Sequence, residues 1–315
     1  MSLSLLTPHI TQFYLTYFVL GVVGNGTAQL AYTRAVLTWF QERRGLALAL
    51  VLTGSGTGSI VIPLVTQAVI QNYGWRSAYL ALGCIALLGL PLTALLVRNR
   101  PSSHGKSDAA FATGSSVGSA LRGAIFWILA VIIMLEAFGS NGLISHLAAM
   151  LTERGVSGES AAAALSMMGA TGILGRLTTG FLLDRYFAPY VSMTMLGVAS
   201  IGMFTLTTAA TPSMALTGTA LMGYGLGSEA DVVPYLIARY FGRKHFAALY
   251  GMTWTAYAVG GATGPVMVGR LYDRFGSYQP RFIAGLALTC VVGALLSLLL
   301  PRYPSEPGGS ESALS

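Results

Sequence analysis

Charge is what this sequence has least of. Asp, Glu, Lys and Arg make up 9% of its 315 residues, against roughly 25% in soluble globular proteins. A chain so poor in charge cannot cover a water-facing surface, and its 54% hydrophobic content places it in the membrane class. Cysteine is also scarce. Cys84 and Cys290 lie far apart in apolar stretches, read as packing residues, and carry no information on redox compartment. There is no His-Glu-x-x-His, no Gly-x-Ser-x-Gly and no Cys/His spacing suited to a metal. These absences argue against an intramembrane enzyme and against a metal or other cofactor. Gly54-Ser55-Gly56-Thr57-Gly58 lacks the lysine of a phosphate loop and reads as helix packing. Residues 1–8 hold no basic cluster of the kind that opens a cleavable signal peptide.

What the chain has instead is long uncharged runs, at 1–33, 45–75, 77–97, 186–228, 246–269 and 282–301. Eighteen or more such residues suffice for a membrane-spanning helix. The run 124–150 is interrupted only by Glu136, and 160–183 only by Arg176. The run 186–228 is long enough to turn at Ala210-Thr211-Pro212 and start a second span. The pattern predicts an all-α polytopic membrane protein with nine helices, near 9–38, 46–71, 77–97, 124–150, 160–183, 189–210, 213–238, 246–271 and 281–300. Small-residue runs such as Ala161 to Ala164 suit close helix packing in lipid. The alternating ten-residue segments of a membrane β-barrel do not occur.

The net charge of +7 does not form a nucleic-acid-binding face, because the cations cluster in short loops between spans. One set of loops and the tail holds eleven: Arg43, Arg44, Arg98, Arg100, Lys106, Arg122, Arg185, Arg239, Arg243, Lys244 and Arg302. The opposite set holds five: Arg76, Arg154, Arg270, Arg274 and Arg281. The excess of Lys and Arg on cytoplasmic loops puts the first set inside. With nine spans the amino terminus falls outside and the carboxyl terminus inside, in the plasma (inner) membrane. The expected blocks are 1–97 (three helices), a Ser- and Gly-rich cytoplasmic linker at 98–123, a six-helix bundle at 124–301, and a tail at 302–315 whose Pro, Gly, Ser and Glu predict disorder.

The two ends of the sequence repeat each other. Trp39-Phe40-Gln41-Glu42-Arg43-Arg44-Gly45 is followed by a glycine-rich stretch, Pro63 and Gly74-Trp75-Arg76. Tyr240-Phe241-Gly242-Arg243-Lys244 is followed by Gly260, Gly261, Gly264, Pro265 and Gly276-Ser277-Tyr278. Phe40 and Phe241 are 201 residues apart, Pro63 and Pro265 are 202 apart, and Gly74 and Gly276 are 202 apart. Gly26 and Gly227 each stand 14 residues before their phenylalanine. Parallel repeats in an apolar chain point to a transporter. The helices at 124–210 have no first-half counterpart here, which predicts a two-half protein whose first quarter lies outside this sequence.

These motifs resemble the major facilitator superfamily. Trp-Phe-x-x-Arg-Arg-Gly-Leu-Ala, the glycine-rich helix ending in proline, and Gly-Trp-Arg are similar to its fourth to sixth helices. Gly175-Arg176-x-x-x-Gly180-x-x-x-Asp184-Arg185 resembles the eighth helix and cytoplasmic turn of one branch, the monocarboxylate transporters and the oxalate:formate antiporter. Arg239-Tyr240-Phe241-Gly242, Tyr250-Gly251 and Tyr272-Asp273-x-x-Gly276 resemble its tenth and eleventh. The resemblance implies helices four to twelve of a twelve-helix fold. It also implies secondary active transport of small organic anions, proton-coupled or by exchange, through alternating access. The alternative is a truncated membrane remnant or accessory protein that inserts without transporting.

Ionisable groups inside spans are costly and are functional candidates by default. Arg176 stands where the resembling transporters hold a substrate-binding arginine, and a guanidinium fork suits a carboxylate; a structural ion pair is the competing reading. Glu229 and Asp231 precede Phe241 by twelve and ten residues and, two apart on a helix, cannot face one cavity together. Proton coupling and structural pairing are both open for them, as for Glu136. Arg34 reads as a residue that snorkels to the interface, and His146 as a helix-contact donor. Gly180, Asp184 and Arg185 correspond to the family's gate turn, or alternatively to ordinary cytoplasmic anchoring. Where the oxalate antiporter has a lysine past its Tyr-Gly, this sequence has Tyr257, which favours a monoanion. Tyr257 and Asn141 complete the expected substrate-binding set. The expected partners are a small organic anion, protons and the bilayer.

Overall fold

The structure is a computed structural model that describes residues 10–24, 44–96, 115–227, 229–242 and 244–303. Among the described residues every regular element is a helix: α1 (Ile10–Gly24), α2 (Arg44–Leu96), α3 (Val117–Arg122), α4 (Ala124–Glu153), α5 (Gly158–Leu183), α6 (Ala188–Leu206), α7 (Pro212–Leu226), α8 (Glu229–Phe241), α9 (Phe246–Phe275) and α10 (Pro280–Ser297). Three of them, α4, α6 and α10, are long and apolar enough to cross a membrane by length and composition.

Local chemistry explains where the helices start and stop. Ser157 caps α5 by accepting from the Ser160 N–H at 3.2 Å, and Thr211 caps α7 by accepting from the Met214 N–H at 3.3 Å. Pro212 and Pro280 occupy the first helical position of α7 and α10, where the missing N–H costs nothing. The helices expected at 46–71 and 77–97 are two helices that meet at a kink inside α2, at Gly74, whose φ of 78° and ψ of 168° are non-helical. Two other expected boundaries differ. The helix expected at 213–238 is two helices, because α7 ends in a run of glycines that weakens it, and α8 begins at Glu229. The helix expected at 189–210 stops at Leu206, ahead of the Thr211-Pro212 cap. A short helix, α3, forms at the end of the stretch expected to be linker. Of the expected first span only Ile10–Gly24 is described, and Arg34 lies outside the described residues.

The sequence repeat is visible in the backbone. Gly74 and Gly276 occupy equivalent places and both have positive φ, 78° and 68°, a region that disfavours side chains with a Cβ. Pro63 and Pro265 both sit inside their helices. The helices pack in the order α9, α4, α10, α6, α7, α5, α2, each against the next. Two apolar clusters fill the bundle, one around Phe126, Leu236, Ile237 and Leu249, the other around Leu147, Met203, Met222 and Ile283. The first block meets the six-helix bundle along α2 and α5, where the Ser166 hydroxyl donates to the Ile60 carbonyl at 2.8 Å.

Several seams allow backbone to touch backbone. A Cβ at Gly260 would strike the Met134 carbonyl, and one at Gly264 the Phe138 carbonyl. The α5–α7 seam uses the same device, with Gly175 against Tyr224 and Gly227 against Gly172. Small residues serve this purpose in lipid, where dispersion rather than the hydrophobic effect holds helices together. Gly264→Ala should therefore destabilise the fold by about 1–3 kcal/mol through overpacking. Gly180→Ala, with open space around its Cα, should not. Melting temperatures of the purified variants in one detergent check this, and equal melting of the two would contradict it.

Candidate functional site

The α4–α9 contact brings two of the expected binding residues together. Asn141 sits one turn after Ala137 on α4, and its Nδ2 donates to the Ala137 carbonyl at 3.0 Å and to the Tyr257 hydroxyl at 3.2 Å. Both amide protons are thereby used, which leaves the Asn141 Oδ1 as the acceptor of the pair. Gly261, one turn along α9, lies beside the Asn141 amide. Trp254 stands edge-on to Tyr257 with ring centroids 4.7 Å apart, and Tyr250 and Phe246 continue the aromatic line down α9. Trp254 was not among the residues expected from sequence. Its spacing three before Tyr257 was the available signal, but aromatic residues at helical spacing usually mark core.

Arg176 is on α5, partly buried, directly after Gly175, which presses against the α7 backbone at Tyr224. That contact fixes the rotation of α5 and so the face from which the guanidinium projects. Two turns on, Asp184 is the C-cap residue of α5 and is exposed, and the Arg185 guanidinium lies 3.9 Å above the Phe181 ring. Gly180 is exposed. Glu136, in the middle of α4, is 1% exposed and lines a small cavity against α6, α7 and α8. The backbones of Glu229 and Asp231 form the first turn of α8, and their side chains lie outside the described residues.

Both ends of the six-helix bundle carry a polar knot. At one end the two ring nitrogens of His146 lie 3.1 Å from the Tyr278 hydroxyl and 3.1 Å from the Pro265 carbonyl. The carbonyl can only accept, so Nε2 carries a proton and donates to it. Arg154 donates to the Leu206 carbonyl at 2.6 Å and the Tyr278 carbonyl at 3.1 Å, and Glu153 accepts from the Tyr278 N–H at 3.2 Å. Burial draws the Arg154 guanidinium below its ordinary value, opposed by Glu153, and pushes the Tyr278 hydroxyl up, so Tyr278 stays a donor. At the other end Tyr240 donates to the Pro301 carbonyl at 2.5 Å, the Ala188 N–H donates to the Tyr303 hydroxyl at 3.2 Å, and Arg239 lies 5.2 Å from the Tyr303 ring. His146 is a helix-contact residue, as expected. Among the described residues no three His, Cys, Asp or Glu side chains are grouped to hold a metal.

Comparison with known proteins agrees with this architecture. The profile of the Major Facilitator Superfamily matches residues 1–265. Monocarboxylate transporter 13 of Bos taurus is 30% identical over 311 residues, covering 95% of this chain and 70% of that protein. MFS transporter asaE of Aspergillus flavus is 25% identical over 272 residues, 84% of this chain and 60% of that protein. This chain thus spans between 60% and 70% of the length of those relatives. The crystal structure of the Escherichia coli fucose:proton symporter superposes with a TM-score of 0.62 at 17% identity, over 92% of this chain and 77% of that one.

The Asn141–Tyr257 bond crosses a helix seam, so it can be weighed by a double-mutant cycle. Asn141→Ala, Tyr257→Phe and the double variant should give a coupling of about 0.6 kcal/mol, the usual size for hydrogen bonds between membrane helices. Unfolding titrations in mixed micelles supply the four stabilities, and strictly additive losses would mean that the bond does not form.

Proposed function

The chain belongs to the major facilitator superfamily, and from that premise we propose that it carries small monocarboxylate-like anions across the membrane by alternating access. It is a membrane transporter family member and not an enzyme. The observation that carries the substrate reading is the 30% identity to a monocarboxylate transporter, taken together with one arginine inside α5. A carboxylate presents two coplanar acceptors, which the Arg176 guanidinium matches with two charge-assisted bonds. Tyr257 and Asn141 supply a neutral donor and acceptor for the rest of a small substrate. A second cation would suit a dianion; a tyrosine at position 257 suits a monoanion.

Alternating access requires two blocks that rock around a central site. The α2–α5 seam, pinned by Ser166, is where such rocking would pivot. Gly180, Asp184 and Arg185 belong to the turn that closes one side. Proton coupling fits a chain whose spans carry Glu136, Glu229 and Asp231, since a buried carboxyl that gains and loses a proton changes the charge inside the bundle. The excess of Lys and Arg on one set of loops supports a cytoplasmic Arg185 end and an external Tyr278 end; the membrane of this reading is the plasma (inner) membrane.

Two experiments test this reading. Arg176→Lys keeps the charge but loses the fork and should weaken binding of radiolabelled lactate, pyruvate and formate; Arg176→Ala should nearly abolish it. Removing one partner of a buried charge pair costs about 3–5 kcal/mol, or roughly a hundred- to several-thousand-fold in affinity. Binding is measured on variants with normal expression and melting temperature, and undiminished binding by Arg176→Ala would end the organic-anion reading. For orientation, single cysteines replace Asp184 or Ser277 in a background with Cys84→Ser and Cys290→Ala. The cysteine at 277 should react with an impermeant maleimide on intact cells, and the one at 184 only after permeabilisation; the reverse pattern would invert the topology.

A further inference from the structure

The exposed side of α6 and α10 leads to a cluster of arginines at one end of the bundle. The two helices run antiparallel, and three contacts fix their register. The Ser297 Oγ lies 3.2 Å from the Ser192 Oγ, a Cβ at Gly293 would stand 3.5 Å from Leu196, and the Cys290 and Met203 sulfurs are 3.7 Å apart. In that register Leu288 is level with Ile201, Leu295 with Thr194, and Leu299 with Tyr190. Thr194 is exposed, and each of the other five is more than half exposed. Leu288 to Leu299 covers about 16 Å along a helix axis. That is close to one leaflet of a hydrocarbon core about 30 Å thick.

At the Tyr190 end of this strip three segments converge. The Ala188 N–H, at the start of α6, donates to the Tyr303 hydroxyl at 3.2 Å, and the Tyr303 ring lies 4.9 Å from Phe187 and 5.2 Å from Tyr240. The Tyr235 hydroxyl donates to the Leu183 carbonyl at 3.3 Å and accepts from the Arg239 Nε at 3.3 Å. The Arg239 guanidinium is 5.2 Å from the Tyr303 ring. These contacts gather Arg239, Arg302 beside Tyr303, and Arg185, two residues from both Leu183 and Phe187. All three arginines are exposed. Among the described residues Arg185 and Arg302 form no ion pair, and Asp184 is the one described acidic side chain at this end. The Arg185 guanidinium rests 3.9 Å from the Phe181 ring centroid. A cation held on a ring face keeps its N–H edge for an acceptor.

We propose that this face binds one anionic phospholipid, its headgroup phosphate on Arg185, Arg239 and Arg302 and an acyl chain along α6 and α10. Guanidinium forks match phosphate oxygens with paired charge-assisted bonds. Basic pockets between spans are the form that anionic-headgroup sites take. Exposed Tyr186 and Tyr190 flank the cluster, and tyrosines of this kind line the membrane–water interface. The arginines therefore stand at headgroup depth, at the mouth of the apolar strip. A zwitterionic lipid offers the same chains and the same phosphate, but its own cation is repelled by three arginines facing one aspartate. Selection is by net headgroup charge. A bound phosphate joins the turn after α5, the last turn of α8 and the stretch after α10 through one ligand. The site is separate from Arg176 and holds whatever the substrate is.

Native mass spectrometry of the full 315-residue chain, released from detergent micelles, counts the lipids that stay bound. The probes are phosphatidylglycerol and phosphatidylcholine with identical acyl chains, and phosphatidylglycerol should be retained at the lower concentration. Each arginine beside an anionic headgroup is worth about fivefold in binding. The double variant Arg185→Gln/Arg302→Gln should therefore lose about twenty-five-fold for phosphatidylglycerol and come level with phosphatidylcholine. The control Arg76→Gln/Arg274→Gln removes two ring-braced arginines at the opposite end and should leave the preference intact. Should the first double variant not fold, Arg302→Gln alone, beyond the end of α10, should lose about fivefold. Equal retention of the two lipids, a preference untouched by the arginine changes, or an equal loss in the control would overturn the proposal. So would displacement of the lipid by an equal concentration of inorganic phosphate, which assigns the cluster to a free anion. A lipid-free dimer would assign the apolar strip to a second copy and overturn it as well.

Discussion

The arrangement around Asn141 depends on α4 and α9 touching at backbone distance. Gly260 and Gly264 lie against the carbonyls of Met134 and Phe138, and no larger residue at either place leaves the helices so close. Two polar contacts follow from that approach. Tyr257, one turn before Gly260, reaches Asn141, whose amide lies beside Gly261, and the carbonyl of Pro265, next to Gly264, comes within reach of His146. In lipid these bonds are individually modest, near 0.6 kcal/mol. Their value is directional. Dispersion between glycine faces brings the helices together, and the bonds fix how far one slides and turns against the other.

Much of this was legible in the sequence, for identifiable reasons. Runs without charge marked α4, α5, α6, α9 and α10 to within a few residues, because lipid tolerates few alternatives to a helix. The spacing of Phe40, Pro63 and Gly74 against Phe241, Pro265 and Gly276 announced the repeat, and Gly74 and Gly276 then prove to share positive φ. The break inside α2 falls at Gly74, between the two expected helices, where a single glycine with φ 78° ends one helix and starts the next without a polar loop. The division of α7 from α8 was not legible, because hydropathy does not change across Gly227. At the site, Asn141 and Tyr257 were chosen separately, one for its place after Glu136 and one from a family motif, and the structure joins them. Trp254 and Ser192 were missed. An apolar ring at helical spacing and a lone serine in a span look like packing until their neighbours are known.

The polar groups at the two bundle ends divide the molecule into stiff and yielding parts. Arg154, Glu153 and Tyr278 tie the end of α4 to the end of α6 and the start of α10, and Tyr240 and Tyr303 tie α8 to the stretch after α10 and the start of α6. Between these knots the glycine seams bring the helices to backbone distance, with Asn141–Tyr257 and Ser297–Ser192 as directional bonds between helices. The α2–α5 contact joins the first block to this bundle, and there the Ser166 hydroxyl donates to the Ile60 carbonyl. A bundle knotted at both ends moves as one body, which is the premise of rigid-body rocking against a neighbouring block.

On the proposed reading, anion and proton bind on different helices, and electrostatics alone can couple them. A carboxylate on Arg176 leaves that pair neutral, and a proton on Glu136 leaves that side chain neutral. Loading one without the other changes the net charge inside the bundle by one unit; loading both leaves it unchanged. Two unit charges about 10 Å apart in surroundings of effective dielectric near 20 interact by about 1.7 kcal/mol. That lies within the roughly 1–3 kcal/mol that separates coupled from independent sites in binding proteins. Direct contact between substrate and Glu136 is then unnecessary. The carboxyl can sit in its own small cavity, lined in part by α8, and still bias whether a bundle holding an anion is stable in the closed arrangement. α8 touches both α4 and α5, and its Pro234 lacks the N–H of a helical hydrogen bond, so the charge on Glu136 acts beside an element with one bond fewer to break.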